Sequence, residues 1–109
     1  MTKPDPVLHA PDRLPLLASC LAVSVSFSEL KRRTNLTDGA LAFNLKELER
    51  AGYVTSFKRR NSLVRRGEET FYHATERGGE AFDAYLELMR SRLDAAEQIV
   101  KEKRLVPAT

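Results

Sequence analysis

The stretch from Ser26 to Thr75 constrains the fold more than any other part of this chain. Its first part, SFSELKRRTNLTDGALAFNLKELERAGYV, reads as two short helices joined by a tight turn. Ser26 and Glu29 make an S-x-x-E capping box that starts a helix near Phe27, with Leu30 as its core residue. Thr34, Asn35 and Leu36 make the turn, and Thr37 is a good N-cap for the next helix. Leu41, Leu45 and Leu48 share one face of that helix. Gly52 sits where a left-handed C-cap belongs, and Tyr53 can pack back on Leu48, so the helix stops near Ala51.

The second part, SFKRRNSLVRRGEETFYHAT, reads as a β-hairpin with a basic loop. Residues 53–58 and 70–74 are rich in strand formers, with about eleven residues between them. That loop is basic at its start and acidic at Glu68 and Glu69. Upstream, Asp12 is placed to cap a first helix, with Pro15 in the first turn, where its missing N–H does no harm. Leu14, Leu17, Ala18 and Leu21 give that helix a core face. Val25 and Phe27 flank the end of a short extended piece. Thr75 caps a last helix running from Glu76 to about Lys103, whose first turns Gly78 and Gly79 weaken. The division expected is a flexible arm over residues 1–11 with Pro4, Pro6 and Pro11, a core over 12–75, and a helical extension and tail over 76–109.

The 109 residues fit one domain. Net charge is only +3, but its distribution is local. Lys58, Arg59, Arg60, Arg65 and Arg66 lie in one run that contains no acid, and Lys31, Arg32 and Arg33 form a second cluster. A single such run is usually a solvated face. Two runs flanking one helix suit a polyanion better. Cys20 is the only cysteine, which excludes an intrachain disulfide, and its apolar helical setting marks it as a small buried hydrophobe. There is no signal peptide and no apolar run long enough to span a bilayer, so a cytoplasmic protein with no membrane partner is expected. His9 and His73 lie in unrelated places. No Cys/His cluster has metal-ligand spacing and no Gly-rich phosphate loop is present, so neither an enzyme nor a cofactor is expected.

Two helices and a basic hairpin in this order outline a winged helix-turn-helix, mainly α with a small β wing. The major groove of B-DNA admits an α-helix and displays the sequence code on its base edges. With the three leucines inward, helix 37–51 turns Gly39, Ala40, Phe43, Lys46 and Arg50 outward, with Asn44 and Glu47 on the flanks. Small residues at Gly39 and Ala40 allow close approach, and the N-terminal N–H groups after Thr37 favour phosphate. Lys46 and Arg50, with Lys31 and Arg32 of the preceding helix, suit the backbone. Asn44 has the groups to pair with adenine. Phe43 is set either to touch a thymine methyl or to pack on the preceding helix or the wing root. The basic wing 58–69, with Lys58, Arg59, Arg60, Arg65 and Arg66, is placed for flanking phosphates or a narrow minor groove.

The last helix carries Phe82, Leu86, Met89, Leu93, Ala96 and Val100 at alternating spacings of four and three, a heptad seam. So long a stripe outruns what a small domain can cover, and a second copy of the chain is the expected partner, rather than packing wholly on the first helix.

The run resembles the winged-helix regulators of the MarR/ArsR-like superfamily, and within it a short single-domain group. The matching residues are Phe27, Leu30, Thr37, Asp38, Gly39, Leu41, Leu45, Leu48, Glu49, Gly52, Tyr53 and Val54, then Thr70, Tyr72, Thr75 and Gly78. The resemblance implies a homodimeric DNA-binding transcriptional regulator, with double-stranded DNA as partner and an unidentified small-molecule effector left open. Ala40 and Asn44 depart from the group's usual Asn and His, so its target sequence is not carried over. The competing reading is a winged helix used for protein–protein assembly without specific DNA binding. A dimer reading DNA with helix 37–51 accounts for more of the residues.

Overall fold

A computed structural model of the chain describes residues 3–60 and 67–105; the wing cations Arg65 and Arg66 lie outside the described residues. The elements in chain order are α1 (Arg13–Leu21), β1 (Val25–Ser26), α2 (Phe27–Thr34), α3 (Asp38–Arg50), β2 (Val54–Arg60), β3 (Glu68–Ala74) and α4 (Glu76–Leu105). The strands form one antiparallel sheet in the order β1-β3-β2. This is the winged helix-turn-helix expected, with a long C-terminal helix.

The local signals of the central stretch act as read. Ser26 Oγ accepts from the Glu29 N–H at 3.1 Å, and Thr37 Oγ1 accepts from the Ala40 N–H at 3.1 Å. Each bond satisfies a donor that a helix start leaves without an intrahelical partner. The Glu29 carboxylate pairs with Arg32 and Arg33 one turn on. Asn35 takes the left-handed conformation (φ 58°) that lets the chain turn between α2 and α3. At the end of α3, Gly52 has φ 79° and donates to Glu49 O, while Tyr53 donates to Leu48 O, both at 2.9 Å. These two bonds make a Schellman stop.

Leu41, Leu45 and Leu48 of α3 are buried against Leu30 of α2, Leu16, Leu17 and Cys20 of α1, the strand residues Val25, Val54, Tyr72 and Ala74, and Tyr85 of α4. The core face of α1 differs from expectation. Leu17 is on it, but Leu16 and Cys20 complete it, while Ala18 is exposed and Leu14 and Leu21 are only half-buried. The reason is tertiary, since α1 is touched by α3, α4 and β3 at once and its buried arc follows those neighbours. Asp12 precedes α1, yet its side chain makes no capping bond. The entry is set by the backbone, with the Arg13 N–H on Ala10 O at 3.1 Å.

The segment expected to be a flexible arm is docked. Asp5 Oδ1 accepts from the Val7 and Leu8 N–H groups, and this turn drops Leu8 into the core, 1% exposed. Asp5 Oδ2 accepts from the Tyr53 hydroxyl, and His9 Nδ1 shares a 2.9 Å hydrogen bond with the Tyr85 hydroxyl. The hairpin is also longer than expected. β2 reaches Arg60 and β3 starts at Glu68, leaving residues 61–67 between them. Glu68 and Glu69 are therefore strand residues, set opposite Arg60 and Arg59. Opposite charges across a ladder extend it where strand propensity alone would end it.

Thr75 joins α3 to α4. Its hydroxyl donates to Gly52 O at 2.5 Å and accepts from the Gly78 N–H at 3.0 Å, and its own N–H donates to Tyr53 O. Gly78 is no mere weak point. A Cβ there would stand 2.1 Å from Tyr53 O, so only glycine lets α4 pass this close to the end of α3. α4 runs for 30 residues in all, about 45 Å. Its first half packs on the body through Tyr85, Phe82 and Met89, and every described residue from 90 to 104 is exposed. The radius of gyration is 18.5 Å, against about 13 Å for a compact chain of this length.

Candidate nucleic-acid interface

The outward side of α3 is open. Phe43 is 56% exposed, and Gly39, Lys46 and Arg50 are exposed with it, while Ala40 is half-buried. A Cβ built on Gly39 meets nothing within 4 Å, so the start of α3 presents a low, unobstructed surface. Ala42 and Glu49, absent from the expected set, belong to this side as well. Together with Lys46, Arg50 and Tyr72 they line a hollow of about 480 Å³ between the far end of α3 and the sheet.

Several cations expected to meet phosphate already have acidic neighbours. Lys31 Nζ lies 2.8 Å from Asp38 at the start of α3, and Arg50 lies 3.0 Å from Glu47. Arg32 pairs with Glu29. Exposed pairs of this kind contribute ~1 kcal/mol or less, so a phosphate can displace them. Asp38 supports the helix through its dipole, but it puts a negative charge where a phosphate would approach Thr37 and the N-terminal N–H groups.

Arg13 is the residue that sequence reading missed. It reaches from the start of α1 to the flank of α3, where its Nε donates to Asn44 Oδ1 at 3.0 Å and its guanidinium lies 5.8 Å from the centre of the Phe43 ring. Asn44 Nδ2 donates to Ala40 O at 2.9 Å. Each end of the Asn44 amide is therefore engaged once within the chain, which fixes its orientation and leaves one N–H and one lone pair for a further contact. Phe43 is more than half exposed, with the Arg13 guanidinium over its ring. Nothing in the local sequence around Arg13 signals this, because the contact spans 31 positions.

On the wing, residues alternate between the two faces of the hairpin. Ser56 donates to Glu49 at 3.3 Å, which fixes its face as the one toward α3. Lys58 and Arg60 share that face by alternation, and both are exposed. Arg59 is on the other face, 5.6 Å from the centre of Phe71, which itself stacks on Phe57. Among the described residues the basic wing is thus split, with two cations on the face toward α3 and one on an aromatic pair behind it.

Three groups near the core resist ionisation. Burial pushes the Cys20 thiol up to about 11. Burial, then the Asp5 carboxylate, pushes the Tyr53 hydroxyl up to about 12. Burial, followed by Glu49, raises Tyr72. Among the described residues no group of three or more His, Cys, Asp or Glu is placed to hold a metal ion. No described helix is long and apolar enough to cross a membrane.

A model of the winged helix DNA-binding domain matches residues 13–93, which takes in α1 through α3, the wing and the packed half of α4. The chain belongs to the winged helix DNA-binding domain family. That family binds DNA and is not enzymatic, in agreement with the sequence reading. An uncharacterized protein of Methanocaldococcus jannaschii is 38% identical over 60 residues, 55% of this chain; the chain spans 62% of that relative's length. A solved transcriptional regulator homologue from Pyrococcus horikoshii is 26% identical, with a TM-score of 0.72 over 83% of this chain and 87% of that one. A MarR-family regulator structure from Enterococcus faecalis shares the fold at 20% identity, with a TM-score of 0.71 over 87% and 84% of the two chains.

Proposed function

We propose that the protein is a homodimeric, sequence-specific transcriptional regulator that sets α3 in the major groove and its wing on the flanking backbone or minor groove. One observation carries this reading: Lys46 and Arg50 line an exposed hollow between α3 and the sheet, and the exposed Lys58 and Arg60 lie on the face of the wing that Ser56 turns toward α3. The similarity to the Pyrococcus horikoshii transcriptional regulator homologue and to the Enterococcus faecalis MarR-family regulator supports it. Lys46, Arg50, Lys58 and Arg60 neutralise phosphates, and Lys31 and Arg32 join them by leaving their carboxylates. Phe43, with Gly39 and Ala40 beside it, touches base edges, and Asn44, which Arg13 orients, has one N–H and one lone pair left to read a base. Arg59 serves the outer flank, and Arg65 and Arg66 of the same basic run add positive charge to the wing.

Two copies present two reading helices, so the site is a pseudo-palindrome. Selection of bound duplexes from a random pool tests this. Recovery of an inverted repeat supports the reading, and a pool that stays random through successive rounds contradicts it. Phe43→Ala is expected to alter the recovered motif within each half-site, since a lost base contact costs ~1–3 kcal/mol.

A further inference from the structure

The free half of α4 carries more than an apolar stripe. Leu86, Leu93 and Val100 hold one seam position, and Met89 and Ala96 the other. Flanking them on one side are Asp83, Arg90, Glu97 and Arg104, all exposed. Their charges alternate in sign at seven-residue spacing. On the other flank Tyr85 is buried in the body while Arg92 and Ile99 are exposed, so beyond Met89 both flanks are open, and only the first carries a row that alternates in sign. Leu93 (62% exposed) and Val100 (44%) leave the seam itself bare.

A row that alternates in sign specifies a register, because flanking charges pair across a coiled-coil seam. In an antiparallel pair this flank faces its own counterpart. When Leu93 lies against the partner's Ala96 and Met89 against the partner's Val100, Asp83 meets the partner's Arg104 and Arg90 meets the partner's Glu97. Two-fold symmetry repeats each match. Sliding one heptad in one direction sets Arg90 on Arg104 and Glu97 on itself. Sliding one heptad in the other sets Asp83 on Glu97 and Arg90 on itself. Both slips bring like charges together. Parallel pairing joins opposite flanks and keeps one match, Arg92 with the partner's Glu97.

We propose that two copies of α4 pair antiparallel in this one register, which deepens the homodimer reading above and rests on it. The two-fold axis then passes between Asp94 and Ala95, and the starts of the two α4 helices stand about 55 Å apart. Each reading head hangs at one end of a two-helix bar.

Charge reversal tests the register. Glu97→Arg turns two attractions into repulsions and is expected to weaken dimerisation on the order of tenfold, measured by sedimentation equilibrium at low salt. Adding Arg90→Glu to Glu97→Arg is expected to restore it. Restoration by Arg92→Glu instead overturns the antiparallel arrangement, as does a dimer that Glu97→Arg leaves unchanged. Wild-type protein that stays monomeric overturns the homodimer reading itself. A spin label on Glu80→Cys gives an independent check, since buried Cys20 takes no label. The antiparallel register separates the two labels by more than about 40 Å, and a separation near 15 Å means parallel helices.

Discussion

α3 and α4 both carry an apolar stripe, and the two stripes have different fates. In α3 the stripe is three leucines long, and the chain's own α1, α2 and sheet cover all of it. In α4 it runs from Phe82 to Val100, and the body covers it only as far as Met89. Periodicity is the same signal in both helices. What separates fold from interface is whether the stripe outlasts the surface its own chain can offer. The covered stripe positions the exposed face behind it, and the bare one is where a second copy is proposed to pack.

The contrast breaks first if Leu45→Ala proves mild. Truncating this buried leucine is expected to cost about 2–5 kcal/mol in urea unfolding, because the site is enclosed on all sides. At the junction of the two helices, Gly78→Ala is expected to cost ~1–3 kcal/mol, because its methyl group meets backbone at Tyr53 and cannot be relieved by turning a side chain. A Gly78→Ala protein as stable as wild type means that α4 does not cross α3 this tightly. Leu93→Glu inverts the expectation for Leu45. Its residue lies on no covered surface, so the unfolding of the separated subunit is expected to change by less than about 0.5 kcal/mol while the dimer is lost in sedimentation. A variant that still sediments as wild type shows that the bare stripe is no interface.

A smaller effect sharpens the account of the docked arm. The fold holds the Tyr53 hydroxyl protonated, raising it from 10.0 to about 12, and Cys20 likewise from 9.0 to about 11. Groups raised in the folded state contribute stability below their unfolded values that is lost as pH climbs through the folded ones. Stability is therefore expected to fall between about pH 9 and 12. Tyr53→Phe is expected to be less stable near neutrality, for want of the Asp5 bond, and to lose less on the way to pH 12. Parallel alkaline profiles for the two proteins count against that bond.

The legible parts of the chain are those with local causes. Thr37 and Thr75 as caps, Gly52 as a stop and the three leucines of α3 depend on residues within a turn or two, and each behaves as its sequence says. The illegible parts depend on contacts between distant positions. Three prolines suggested a loose arm, yet Asp5 bonds across 48 positions to Tyr53, and its own short turn buries Leu8. By propensity Gly78 weakens a helix, yet Tyr53 lies so close that no larger residue fits there. At the candidate interface, exposure of Phe43, Lys46 and Arg50 was readable from helix period. The hold of Arg13 on Asn44, and the split of the wing cations between two faces, were not. Propensity alone puts Glu68 and Glu69 in a loop, whereas cross-strand charge carries the ladder on through them.

The central claim is that α3 and the wing meet DNA phosphates, and a salt series tests it most directly. Binding of the wild-type protein to a duplex from the random-pool selection is measured at several salt concentrations, beside the Lys46→Ala, Arg50→Ala double variant. Each neutralised phosphate releases counterions, so log affinity falls linearly with log salt at a slope near 0.9 per contact. The expected result is a steep fall for wild type. The variant, folded and equally stable, is expected to bind every duplex more weakly, with a slope shallower by about two per subunit. Equal slopes and equal affinities for the two proteins would contradict the claim, and α3 would then not be the surface that meets DNA.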